Sequence, residues 1–197
     1  MKTKKTARAV FLDRDGTINR MVYYPEHGIA DSPFVPKQLV LLPRVHRALK
    51  LLRNKGFLLI LVSNQPGLAK GYITEENFRK IDRRLDELLA KEGVVLDKKY
   101  YSFYHRDAVH KKYKKGAHLR KPKPGMLEVA AKKYGIKLKS TYFIGDDKKD
   151  ILAGKKAGCK TVLVLSGKSS RESMKDWAQK PDHIFENLLE AVRSLTK

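Results

Sequence analysis

Asp13 and Asp15 stand two residues apart in the string Phe11-Leu12-Asp13-Arg14-Asp15-Gly16-Thr17, at the end of a short β-prone run over residues 8–13. Two carboxylates at the end of a buried strand cannot both be packing residues, because each needs its charge compensated. A metal ion is the natural compensator. The pair suits a carboxylate nucleophile, Asp13, beside a second acid, Asp15, whose proton can go to a leaving group; Gly16 lets the backbone turn and offer amides to an anion. Alone, the same string would also suit an acidic turn or a calcium-type loop.

Three further clusters carry chemistry. Ser63-Asn64-Gln65 supplies a hydroxyl and backbone amides that could hold phosphoryl oxygens, although Ser and Asn are ordinary turn residues. In Arg120-Lys121-Pro122-Lys123-Pro124-Gly125-Met126, prolines fix the backbone and two cations precede a helix; on its own this reads as a solvated basic turn. Gly145-Asp146-Asp147-Lys148-Lys149-Asp150 sets carboxylates at a helix start, where an Asp could equally be a cap.

The elements that must position these clusters alternate between strand and helix. Apolar, β-prone runs predict strands over 8–13, 57–62, 100–104, 141–144 and 160–165, and helical periodicity predicts helices from Pro43 to about Gly56, from Thr74 to about Gly93, from Pro124 to Tyr134, from Asp147 to Ala157 and over 184–195. Such alternation implies an α/β fold, a doubly wound parallel sheet covered on both faces. Residues 19–38, with Pro25, Pro33, Pro36 and Gly28, are too long for a plain connection and read as a lid or substrate loop. A basic loop spans about 105–123. The 197 residues suit a single domain.

Composition limits the partners. Lys and Arg number 43 against 21 Asp and Glu, a formal net charge of +22, which draws anions without choosing among phosphorylated metabolites, nucleic acid and acidic surfaces. With one cysteine, Cys159, no intramolecular disulfide can form. No apolar stretch approaches the ~20 residues of a membrane span, and no signal peptide is evident, so a cytoplasmic location is expected.

Taken together and in this order, the four clusters resemble those of the haloacid dehalogenase superfamily, and the resemblance covers most of the chain. It implies a Rossmannoid sheet with only small cap loops. The second acid, Asp15, is similar to the phosphatase branch. Closer still, FLDRDGTIN, SNQPGLAKG, RKPKPGM and GDDKKD resemble the D-glycero-D-manno-heptose 1,7-bisphosphate phosphatases and the related histidinol-phosphate phosphatases.

That resemblance implies a Mg²⁺-dependent phosphomonoesterase acting through an aspartyl-phosphate on a phosphorylated small molecule, foremost a sugar bisphosphate. Asp13, Asp15, Ser63 and Lys121 would be catalytic. Asn19, Asn64, Gln65 and Arg120 would bind substrate. Asp13, Asp15 (through its carbonyl), Asp146 and either Asp147 or Asp150 would serve the metal.

The chain departs from the family where a zinc loop is usual: Ser102, Tyr104, Ala117 and Leu119 stand at the ligand positions, so no zinc is expected, and His105, His110 and His118 make a weak substitute. Tyr23-Tyr24 and Met21 also depart from the family's pattern ahead of the lid loop. Polynucleotide 3′-phosphatases share similar motifs, and the charge would suit a nucleic-acid end; a basic RNA-binding protein on the same fold is the non-enzymatic alternative. The lysines at 111, 112, 114 and 115 are expected to form a cationic wall beside the site.

Overall fold

A computed structural model describes residues 7–196. In chain order it contains β1 (Ala9–Leu12), the short strands β2 (Val22–Tyr24) and β3 (Ile29–Asp31), α1 (Val45–Asn54), β4 (Leu58–Asn64), α2 (Glu75–Lys91), β5 (Lys98–Ser102), α3 (Gly125–Tyr134), β6 (Tyr142–Gly145), α4 (Lys148–Ala157), β7 (Lys160–Val164), β8 (His183–Phe185) and α5 (Leu188–Leu195). Six strands form one parallel sheet in the order β5-β4-β1-β6-β7-β8, while β2 and β3 make a separate antiparallel hairpin.

β1 lies inside the sheet with all four residues buried, which explains its unbroken apolar run. Its side chains alternate between two cores. Val10 and Leu12 pack with Leu49 of α1, Leu85 of α2 and Val192 of α5; Ala9 and Phe11 pack with Met126 of α3 and Ala153 of α4. Caps fix the helix starts: Thr74 Oγ1 accepts from Asn77 N at 3.1 Å and Asn187 Oδ1 from Glu190 N at 3.1 Å. Among the described residues no helix is long and apolar enough to cross a membrane.

The sheet departs from the sequence expectation in three places. β4 continues through Ser63 and Asn64, because both remain in register with β5, and the turn starts at Gln65. β5 itself spans 98–102, two residues earlier than expected; as one of the sheet's two edge strands it carries lysines that obscure its pattern. The run 184–195 is not all helix: His183–Phe185 pairs with β7, and the helix begins only after the Asn187 cap.

Asp182 fastens that last strand. Its Oδ2 accepts from Thr161 N at 2.7 Å and from Thr161 Oγ1 at 2.9 Å, and Lys155 pairs with its other oxygen. Burial would raise its pKa, but these donors outweigh burial and bring it down to about 2. Folding therefore favours the carboxylate, so the stability it adds is complete above about pH 4 and is lost as pH falls towards 2. Asp182→Asn should cost about 1 kcal/mol at neutral pH, a figure reduced for partial exposure, and urea titrations near pH 2 should find the difference gone.

The β2–β3 hairpin stands over the sheet edge within the 19–38 segment. Tyr24 stacks on Phe34 at 4.0 Å between centroids, Phe34 meets Tyr72 at 5.4 Å, and Tyr72 stacks on His27 at 5.0 Å. The Tyr24 hydroxyl bonds to Ser32 O and accepts from Phe34 N. The hairpin is thereby joined to the loop that follows β4. The basic loop is fastened the same way: Phe103 packs edge-on against Phe78 of α2 at 4.9 Å and against Tyr113 at 6.2 Å, and the Tyr113 hydroxyl reaches Glu75.

Candidate active site

Parallel strands end together, so β1, β4 and β6 deliver residues that are far apart in sequence to one edge. Asp13 N donates to Ile144 O at 2.9 Å, which ties the end of β1 to the end of β6. Asp13 Oδ1 accepts from Arg14 N at 2.7 Å and pairs with Lys121 Nζ at 2.8 Å. Lys121 is 3% exposed, and its three donors have three acceptors: Asp13, Asp150 Oδ1 at 2.7 Å and Val62 O at 3.0 Å. Burial would lower its pKa; Asp13 and Asp150 outweigh burial and hold it above the ordinary lysine value.

Lys121 comes from a loop, and Asn64 holds that loop in place. Asn64 Oδ1 accepts from Lys121 N at 3.1 Å, and Asn64 Nδ2 donates to Lys121 O at 3.0 Å. The Asn64 side chain is thus engaged with the protein backbone.

Asp13, Asp146 and Asp150 gather their carboxylate oxygens within 4.8 Å of one another, and all three are buried. Burial, reinforced by the charge of Asp13, raises the pKa of Asp146 well above the carboxylate range and that of Asp150 to about 7, with Lys121 opposing the second shift. Asp146 Oδ2 accepts from Lys168 N at 2.7 Å. Space around it is closed by two glycines: a Cβ on Gly16 or on Gly167 would collide with the Asp146 carboxylate. The donor set consists of hard oxygens, and of the three buried acids Asp13 and Asp150 share Lys121. A hard divalent cation such as Mg²⁺ fits that charge and that chemistry.

Asp147 does not join this group. Its Oδ2 lies 3.5 Å from both Lys149 Nζ and Lys168 Nζ, and these cations outweigh burial to lower its pKa. It also caps α4, with Lys149 N donating to Oδ1 at 3.3 Å while Asp147 N donates to Asp150 Oδ2 at 3.0 Å. Between the two alternatives left open by the sequence, Asp150 is the carboxylate brought to Asp13 and Asp146. The Asp15 carboxyl is also outside the group, so its expected share in a metal site rests on its backbone carbonyl.

Asp15 meets four N–H groups from three side chains. Arg14 donates through Nε and Nη2 at 3.1–3.2 Å, Asn19 Nδ2 donates to Oδ1 at 2.9 Å, and Gln65 Nε2 donates to Oδ2 at 2.7 Å. This corrects the expectation for two residues. Asn19 and Gln65 were expected to bind substrate, but both are buried and neither lines the cavity, because their amides are turned to Asp15.

The cavity, of about 240 Å³, is lined at its floor by Asp13, Asp15, Ser63, Lys121 and the 146–150 turn. Arg120, with Nη1 bonded to Tyr104 O at 3.0 Å, and Asp31 of the hairpin form its wall. Burial lowers the Arg120 pKa, against the charge of Asp31. Lys70, Lys149 and Lys168 complete the basic rim. The lysines at 111, 112, 114 and 115 do not line it, and Lys112 pairs with Glu75 instead, so the expected wall is made by other cations.

Sequence reasoning did not single out Arg14, which is fully buried against Asp15 and Gln65 and has Tyr101 beneath its guanidinium at 6.0 Å. The available signal was an arginine between two acids at a strand end, where its charge has to be used. At the four zinc-loop positions the structure has a strand end, a loop residue and a 3₁₀ turn, Ala117–Leu119, whose Leu119 packs against the core under α3. Cys159 is buried in that same core, and burial pushes its thiol up to about 12.

Residues 118–191 match a family model described as HAD-hydrolase-like. The D-glycero-D-manno-heptose-1,7-bisphosphate 7-phosphatase of Chlorobaculum tepidum is 32% identical over 193 residues, covering 95% of this chain and 94% of that protein. The D-glycero-beta-D-manno-heptose-1,7-bisphosphate 7-phosphatase of Haemophilus ducreyi is 38% identical over 187 residues, covering 94% and 96%. A crystal structure of D,D-heptose 1,7-bisphosphate phosphatase from B. bronchiseptica, complexed with magnesium and phosphate, superposes with a TM-score of 0.81 at 26% identity, covering 96% of this chain and 98% of that one. With both its sequence and its sheet accounted for along nearly their whole length, the chain belongs to the haloacid dehalogenase-like phosphatases, in the group that contains the D-glycero-D-manno-heptose-1,7-bisphosphate 7-phosphatases.

Proposed function

We propose that this phosphatase is Mg²⁺-dependent, works through an aspartyl-phosphate, and acts on a sugar bisphosphate, with D-glycero-D-manno-heptose 1,7-bisphosphate as the leading candidate. The observation that carries the reading is the cluster of Asp13, Asp146 and Asp150 around Lys121 at the floor of a cavity with a basic rim. The substrate choice is supported by the names of the relatives.

In this reading an Asp13 carboxylate oxygen attacks phosphorus in line, and the bond to the leaving oxygen breaks. Asp15 gives that oxygen a proton. Water then attacks the aspartyl-phosphate, Asp15 takes its proton, and the bond from phosphorus to Asp13 breaks to release inorganic phosphate. Lys121 and the Ser63 hydroxyl hold equatorial oxygens, and Arg120 faces the rest of the substrate. Asp13, Asp146 and Asp150 would hold Mg²⁺, which would supply positive charge against the carboxylates and the phosphoryl group. The 19–38 segment acts as the substrate loop of a single domain.

The test is turnover with Mg²⁺ across heptose and other sugar bisphosphates, sugar monophosphates, histidinol phosphate and 3′-phosphorylated oligonucleotides. A kcat/KM highest for the heptose bisphosphate is expected; a preference for histidinol phosphate or the oligonucleotides would replace the substrate assignment. Metal binding has its own readout. Mg²⁺ at about a hundred times its Kd should stabilise the folded protein by about 2.7 kcal/mol, and calorimetry should show that increment lost in Asp146→Asn.

A further inference from the structure

Gln65 is 1% exposed, follows β4 and touches no part of the cavity, yet each polar atom of its carboxamide has a partner in the site. Oε1 accepts from Arg14 Nη2 at 2.9 Å; Nε2 donates to Asp15 Oδ2 at 2.7 Å and to Ser63 Oγ at 3.1 Å. Guanidinium is a donor only, so the amide can face Arg14 with its oxygen alone. That fixes which end points at Asp15 and Ser63.

The direction passes on to the serine. Ser63 Oγ accepts a hydrogen bond from Gln65, so its own O–H is left to donate elsewhere, and Ser63 lines the cavity. Arg14, Gln65 and Ser63 thus form a chain of donors, all oriented one way, that ends in the space where a phosphoryl oxygen would sit. The same carboxamide holds the Asp15 carboxyl with its second hydrogen.

We infer that Gln65 is a positioning residue that sets two functions at once: it aims the Ser63 hydroxyl proton at the phosphoryl group, and it fixes the Asp15 carboxyl for proton transfer to the leaving oxygen. This deepens the function proposed above and rests on its assignment of Ser63 and Asp15.

The test uses Gln65→Glu, which keeps shape and replaces the two donors by an acceptor beside Arg14. The Ser63 hydroxyl then donates to residue 65 instead of to the cavity, and a second carboxylate faces Asp15. Affinity for inorganic phosphate, measured by calorimetry with Mg²⁺ present, should fall at least tenfold, the scale of one charge-assisted hydrogen bond. The kcat for an alkyl phosphate should fall by about 10²-fold or more, the scale of a misaligned catalytic proton donor, and the kcat for p-nitrophenyl phosphate, whose leaving group needs little help, by much less.

Gln65→Leu is the companion, removing both donors without adding charge; it should show the same split between alkyl and aryl substrates. Equal losses for both substrates with unchanged phosphate affinity in the two variants would reduce Gln65 to a structural residue and overturn the proposal. Asp15→Asn separates this from a failure of the underlying reading. If Asp15→Asn itself leaves the alkyl-to-aryl ratio unchanged, the assignment of Asp15 is wrong and the Asp15 half of the inference falls with it, while phosphate affinity still decides the Ser63 half.

Discussion

Asp13→Asn is expected to abolish turnover, by on the order of 10⁴-fold or more, as the removal of a covalent nucleophile should, and to leave the metal-free protein no less stable. The second half follows from the charges. Asp13, Asp146 and Asp150 are buried together, Lys121 pairs with Asp13 and Asp150, and Asp13 contributes to raising the pKa of both other acids. The amide is near in size to the carboxylate, removes the carboxylate that raises the pKa of the other two acids and leaves the Lys121–Asp150 pair standing. Equilibrium unfolding in EDTA should therefore give the variant a midpoint equal to or above that of the parent. Turnover near the parental rate would end the assignment of Asp13, and a clear loss of stability in EDTA would show that its charge is needed for folding.

Lys121→Met is expected to be the most damaging single change to the fold of the site. It removes the cation between two buried carboxylates and leaves Val62 O without its donor, at a cost of about 3–5 kcal/mol, the usual penalty for breaking a buried ion pair from one side. The loss should depend on pH. With Lys121 gone, the lowering influence on Asp150 goes too, so its pKa moves above the present value of about 7. An acid whose folded pKa lies above its unfolded value destabilises the fold as pH rises, so the deficit of Lys121→Met should be largest near pH 8 and shrink towards pH 5. Adding Asp13→Asn to Lys121→Met should recover part of the stability without recovering turnover. A single variant as stable as the parent at pH 8 would refute this account of the cluster.

The parts of this molecule that could be read from its sequence are those where one residue type has few alternative uses. Asp13 and Asp146 follow buried strands, and their positions follow from the apolar runs that precede them, while Lys121 comes from a loop and was legible only through its motif. Ser63 and Arg120 also reach the cavity by the same logic. Asn19 and Gln65 show the limit. Their residue types suit substrate as well as they suit a neighbouring acid, and only the turn after β1 and the register of β4 bring their amides to Asp15.

The choice between Asp147 and Asp150 had the same origin. A cap and a ligand have one spacing in sequence, and the first turn of α4 separates them in space. β8 was hidden because Ile184 and Phe185 fit either a helix face or a short inner strand; the Asn187 cap was the clue to where helix begins.

The aromatic joint between the hairpin and the loop after β4 has a consequence for traffic through the mouth of the cavity. With Tyr24, Phe34, Tyr72 and His27 packed ring against ring, the hairpin and the opposing loop form one body. Asp31 and Ser32 of the first and Pro66 and Lys70 of the second line the cavity, so the joint ties two of its walls together. Walls joined in that way would sort molecules by cross-section as a sieve does, so that slimness and charge at the leading end of a substrate would govern admission.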